Sequence, residues 1–165
     1  MVRYIDSPTT SVTTTIEAPP EDVWPLVADI SLPARFSQEF QGAEWVEGSE
    51  EIGARFRGRN DHPIAGSWST VCTVTEWSPP TSFAYLVENP DDPTARWRFD
   101  LEPVDGGTRL TMTAVMGPGP SGVLSLIRKL PDKEEKIIAN RLAEWTDNMQ
   151  RTVDGIRSLV LSDDG

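Results

Sequence analysis

The chain of 165 residues carries a net charge of −11, and 38% of it is hydrophobic, with six Trp and five Phe among its aromatics. That composition suits one globular domain around a single core, and its negative field opposes attraction to nucleic acid or to an anionic membrane surface. A single Cys excludes an intrachain disulfide, a single His leaves no soft-ligand set for a structural metal, and no stretch approaches the ~18 apolar residues of a membrane span.

Met1 to Thr10 is polar, holds Pro8, and reads as a flexible arm ahead of a domain over residues 11–161. Nothing in residues 1–20 resembles the apolar core of a signal peptide, so a cytoplasmic protein is expected. Ser11 to Ala18 alternates Val12, Thr14 and Ile16 against polar neighbours in a β-branched run, the pattern of a half-buried strand. Ala18-Pro19-Pro20-Glu21-Asp22 then places proline and acid where a helix begins, running to about Asp29. Pro25 removes a backbone donor, so the pattern predicts two short helices, the second over about Pro33 to Phe40.

From Gly42 onward strands and turns alternate. Glu44 to Glu47 is the second strand, and Gly53 to Asn60 the third, with Arg55, Arg57 and Arg59 toward water and able to pair across with Glu44 and Glu47. Ser67 to Trp77 puts Trp68, Thr70, Cys72 and Val74 on one face, and Phe83 to Val87 follows after Pro79-Pro80. Ala95 to Val104 opposes Trp97, Phe99 and Leu101 to charged residues, and the hairpin signal Asp105-Gly106-Gly107 leads into Thr108 to Met116. Gly117-Pro118-Gly119-Pro120 breaks the sheet, and Ser121 can cap a short helix to Leu130.

The last run, Asp132 to Leu161, repeats apolar residues at Ile138, Leu142, Trp145, Met149, Val153, Ile156 and Val160, one face of a long helix with Asp132 as its expected N-cap; residues 162–165 form an acidic tail. One apolar helix face after a meander of strands implies an α+β fold: a seven-stranded curved antiparallel sheet wrapped around the C-terminal helix, with two short helices between strands one and two.

Four stretches carry a family resemblance: Ile16 to Trp24, Gly42 to Gly48, Gly53 to Asn60, and Trp97 to Thr111 through Gly106-Gly107. They resemble the SRPBCC superfamily, with its START-like helix-grip fold, and within it the polyketide cyclase/dehydrase and lipid-transport group. The resemblance implies a deep, mostly apolar pocket between sheet and helix. It implies no fixed catalytic motif, since such folds host carriers as well as ring-closing enzymes.

The candidate ligand-binding residues are Phe56, Trp68, Cys72, Tyr85, Trp97, Phe99, Met112, Trp145 and Met149, large flat or soft side chains suited to a planar or acyl ligand; the plain alternative is that they fill the core. Glu39, Asn60, His62, Thr70, Tyr85 and Asn148 are expected inside the pocket or at its mouth. Glu39, His62 and Tyr85 are the candidates for proton transfer, although His62 also reads as a solvated turn residue and Glu39 as a surface acid. Cys72 has no base beside it in the sequence and reads as a small buried hydrophobe. The expectation is a monomer or homodimer that binds a hydrophobic small molecule (lipid, polyketide or isoprenoid-like) without cofactor or metal. The alternatives are an aromatase/cyclase or dehydratase acting on a polyketide chain, and an interaction module with a filled core.

Overall fold

β-Branched and aromatic residues alternate with polar ones through the middle of the chain, and that stretch forms one continuous antiparallel sheet. A computed structural model describes residues 2–162 and gives the strands as β1 (Thr9–Ile16), β2 (Phe40–Glu47), β3 (Arg55–His62), β4 (Gly66–Ser78), β5 (Ser82–Val87), β6 (Ala95–Val104) and β7 (Gly107–Met116). Their order is β1-β7-β6-β5-β4-β3-β2, so β2 to β7 meander and β1 closes onto β7. The helices are α1 (Pro20–Val27), α2 (Gly122–Lys129) and the 29-residue α3 (Glu134–Ser162). This is the α+β helix-grip arrangement the hydrophobic pattern predicts.

α3 buries Ile138, Trp145, Met149, Val153, Ile156 and Val160, the predicted stripe, and lies mainly along β1 with a smaller contact on β7. α1 covers its other flank with Val23 and Val27. Gly155 explains how closely one connection approaches the helix: a Cβ there would lie about 2.5 Å from the ring of Phe36. Among the described residues no helix is long and apolar enough to cross a membrane.

Several local expectations are corrected. Residues 4–10 do not behave as a free arm: Tyr4 is buried, its hydroxyl donates to the Gly119 carbonyl at 2.7 Å, and its backbone N–H donates to Glu134 Oε2 at 2.8 Å. An aromatic ring with a hydroxyl handle is enough to dock a polar segment. The second short helix between β1 and β2 is present but shorter than the expected Pro33 to Phe40, a 3-10 helix at Leu32–Arg35. Ser37 Oγ accepts from the backbone N–H groups of Glu39 and Phe40, which offers those donors a local alternative to a helix. Asp132 makes no cap hydrogen bond, because Pro131–Lys133 form a 3-10 turn that runs directly into α3. Ser121 does cap α2, accepting from the Leu124 N–H at 3.1 Å. Of the expected acidic tail, Ser162 is the last residue of α3 and 163–165 lie outside the described residues.

The register of β4 shifts between Val74 and Glu76 in its pairing with β5. The shift puts Val74 opposite Tyr85 and Trp77 opposite Phe83, so two residues an odd number apart face the same way. Strict alternation would have turned Glu76 inward. Trp77 instead joins Trp24, Trp45 and Phe83 edge-to-face at 5.4, 6.2 and 4.9 Å.

Candidate functional site

The curvature that brings β1 and β7 onto α3 leaves the middle of the sheet apart from it, and a pocket of about 120 Å³ lies in the gap. The sheet contributes Phe56, Gly58 and Asn60 from β3, Thr70 and Cys72 from β4, Tyr85 and Val87 from β5, Trp97 from β6 and Met112 from β7. Their spacing of two along each strand is what puts them on one face. α3 contributes Trp145, Asn148, Met149 and Thr152, spaced at three and four, the connection from α1 into β2 adds Ile30, Pro33, Ser37 and Glu39, and Phe40 opens β2. Gly58 leaves room for Phe40, whose ring would come within 3.1 Å of an added Cβ.

Seven of the nine predicted ligand-binding residues line this space: Phe56, Cys72, Tyr85, Trp97, Met112, Trp145 and Met149. Phe99 does not. It stacks on Phe83 at 6.3 Å in a filled part of the core. Trp68 does not either. It pairs opposite Asn60 near the end of the β3–β4 hairpin, is only half-buried, and does not join Asn60 in the lining.

Of the proton-transfer candidates, Glu39 and Tyr85 line the pocket and His62 does not. Glu39 is no surface acid: its side chain is 14% exposed and accepts two hydrogen bonds from Arg141, at 2.6 and 2.7 Å. Arg141 also donates to Glu144 at 3.0 Å and lies 5.7 Å from the centre of the Trp145 ring. His62 Nε2 meets Glu144 Oε2 at 2.8 Å, while its Nδ1 accepts from the N–H groups of Ile64 and Ala65. An Nδ1 that accepts carries no proton, so Nε2–H is the donor to Glu144 and the imidazole is neutral in this arrangement. The chain Glu39–Arg141–Glu144–His62 thus ties the start of β2, α3 and the β3–β4 hairpin together.

The electrostatics follow from these contacts. Burial acts on Arg141 against its charge, but the hydrogen bonds and charges of Glu39 and Glu144 outweigh it and hold the guanidinium above its ordinary range. Burial pushes the Glu144 carboxyl up, but the hydrogen bonds from His62 and Arg141 and the charge of Arg141 prevail and leave it below its ordinary value. Burial pushes the Cys72 thiol up to about 12, against the lowering effect of Thr70, which matches its expected role as a buried hydrophobe. Burial, and then Cys72, push the Tyr85 phenol well above its ordinary range. Among the described residues no three His, Cys, Asp or Glu converge on a common point that could hold a metal ion.

Arg55 and Arg59 pair with Glu47 and Glu44 on the outer side of the sheet, at 3.5 and 3.7 Å. Sequence reasoning missed Arg141, although it stands one helical turn before Trp145 on the same face. It also missed Phe40, which the pattern places at the end of a helix.

The fold is that of a helix-grip α+β protein with its pocket between sheet and helix. The chain belongs to the family described as polyketide cyclase / dehydrase and lipid transport, whose sequence pattern matches residues 7–153. No curated protein sequence matches it significantly. Among solved structures it resembles the Polyketide_cyc-like protein Cgl2372 from Corynebacterium glutamicum, at 28% identity over 94% of this chain and 92% of that one, with a TM-score of 0.65. It shares its fold with TTHA0849 from Thermus thermophilus, at 21% identity over 96% of this chain and 100% of that one, TM-score 0.64. It shares its fold also with the di-domain ARO/CYC BexL from the BE-7585A biosynthetic pathway, at 15% identity and TM-score 0.71; there the match covers 92% of this chain but 49% of that one, about half the length of the two-domain protein.

Proposed function

We propose that the protein binds a hydrophobic small molecule in the pocket between sheet and α3. The observation that carries this reading is the lining itself, in which Phe40, Phe56, Tyr85, Trp97, Trp145, Met112 and Met149 surround unfilled space. A filled-core interaction module has no use for such a space. A ring-closing or dehydrating enzyme of the polyketide type is the second reading, favoured by the family description and by the presence of Glu39 and Tyr85 in the lining. Proton abstraction needs a free base, however, and Glu39 is engaged through both oxygens by Arg141 while His62 stands outside the pocket. Binding therefore accounts for more of the site than catalysis does.

Native mass spectrometry of the protein as purified, with extraction of any released species, tests the proposal. A stoichiometric apolar molecule retained by the native chain and lost from Trp97→Ala is the expected result. Equal retention by Trp97→Ala would place the molecule elsewhere and overturn this assignment of the site.

A further inference from the structure

The pocket combines three features that narrow its ligand, and this narrowing rests on the pocket being a ligand site at all. The first is size. About 120 Å³ is of the order of the ~150 Å³ apolar cavity known to take up benzene, and too little for an extended acyl chain. The rings of Trp97 and Trp145, with centres 4.9 Å apart and tilted by 46°, supply the flat walls that such a ring would contact.

The second feature is an unpaired donor. The Tyr85 ring is held by Phe56 at 4.9 Å and Phe83 at 5.5 Å, yet among the described residues its hydroxyl has no hydrogen-bond partner. Tyr85 keeps accessible surface although its site lies deep in the fold, because it borders the pocket. An apolar guest would displace water from that hydroxyl and leave it without an acceptor, whereas a ligand oxygen can accept its proton. Asn148 adds to this. Its Oδ1 is taken by the Gln38 N–H at 3.0 Å, which leaves its amide NH₂ as a second donor in the lining.

The third feature is charge. Two carboxylates, Glu39 and Glu144, share the single guanidinium of Arg141, and His62 accepts through Nδ1 and so adds no positive charge. A ligand carboxylate would be a third anion on one cation and would meet Glu39 at the pocket wall.

We infer that the pocket selects a neutral, single-ring-sized molecule carrying a carbonyl oxygen that accepts a hydrogen bond from Tyr85. Long-chain carboxylates and plain hydrocarbons are poorer occupants. Three molecules of nearly one shape separate the features: acetophenone, benzoate and isopropylbenzene. Titrated against the full chain and followed by intrinsic Trp fluorescence and ligand-observed NMR, acetophenone is expected to bind about tenfold more tightly than isopropylbenzene, the factor that ~1.4 kcal/mol of hydrogen bonding represents. Benzoate is expected to bind weakest. Tyr85→Phe should erase the preference for acetophenone, and because the hydroxyl has no protein partner to lose, the variant should keep its thermal midpoint.

Isopropylbenzene binding as tightly as acetophenone, or a preference unchanged in Tyr85→Phe, would overturn the role of Tyr85, and benzoate binding best would overturn the charge argument. If palmitate binds tightly and is displaced from the pocket by Trp97→Ala while none of the three small probes binds, the narrowing fails and the general reading survives. If neither palmitate nor any small probe binds, both fail.

Discussion

Both halves of the sheet–helix interface are apolar, but one is filled and the other encloses open space. Around the C-terminal half of α3, Val153, Ile156 and Val160 pack with Ile16, Val23 and Leu110, all nearly without solvent exposure. Around its middle, Trp145 and Met149 face Phe56, Tyr85 and Trp97 across unfilled space. The first half uses compact aliphatic side chains that interdigitate. The second uses long, flat ones and is held by the ionic chain from Glu39 to His62. Tight packing is thus concentrated where α3 touches β1, and the unfilled space lies where it does not.

The contrast can be broken most directly in the filled half. Ile156→Ala should lower the unfolding free energy by about 3 kcal/mol, read by denaturant titration, because the surrounding packing cannot collapse onto the lost atoms. A loss well under ~1 kcal/mol would mean that this half is not tightly filled and that the two regions differ less than their packing suggests.

Arg141→Met tests the ionic chain and should cost about 2 kcal/mol, less than a fully buried pair because both partners retain some solvent. Adding Glu39→Gln should recover part of that loss, since the variant otherwise leaves a carboxylate without its counterion. No recovery in the double variant would show that the guanidinium acts through its packing on Trp145 instead.

The smallest effect is the pH dependence. Glu144 has a folded pKa below its ordinary 4.5, so its contribution to stability is present above that value and is lost as pH falls through the lower folded one. Glu144→Gln should therefore flatten the stability profile below pH 4.5. The change is modest, because the side chain is 45% exposed and screened by solvent. Identical acid limbs for the two proteins would remove Glu144 from the stabilising part of the ionic chain.

The periods of two and of three to four in the hydrophobic pattern were sufficient to assign seven strands and a long helix, because strand and helix geometry fix which residues share a face. They were sufficient as well to point Phe56, Cys72, Tyr85, Trp97 and Met112 inward. Periodicity does not say which residues of a face border a cavity, so Phe99 and Trp68 shared the pattern of pocket residues while one lies in packed core and the other stands half-buried outside the lining. It also assumes unbroken alternation, which the register shift in β4 violates to bring Trp77 inside. The pairing of Glu39 with Arg141 joins residues 102 positions apart, and the docking of Tyr4 on Gly119 joins residues 115 apart. Such contacts depend on the path of the folded chain through space, and only the tertiary structure decides them.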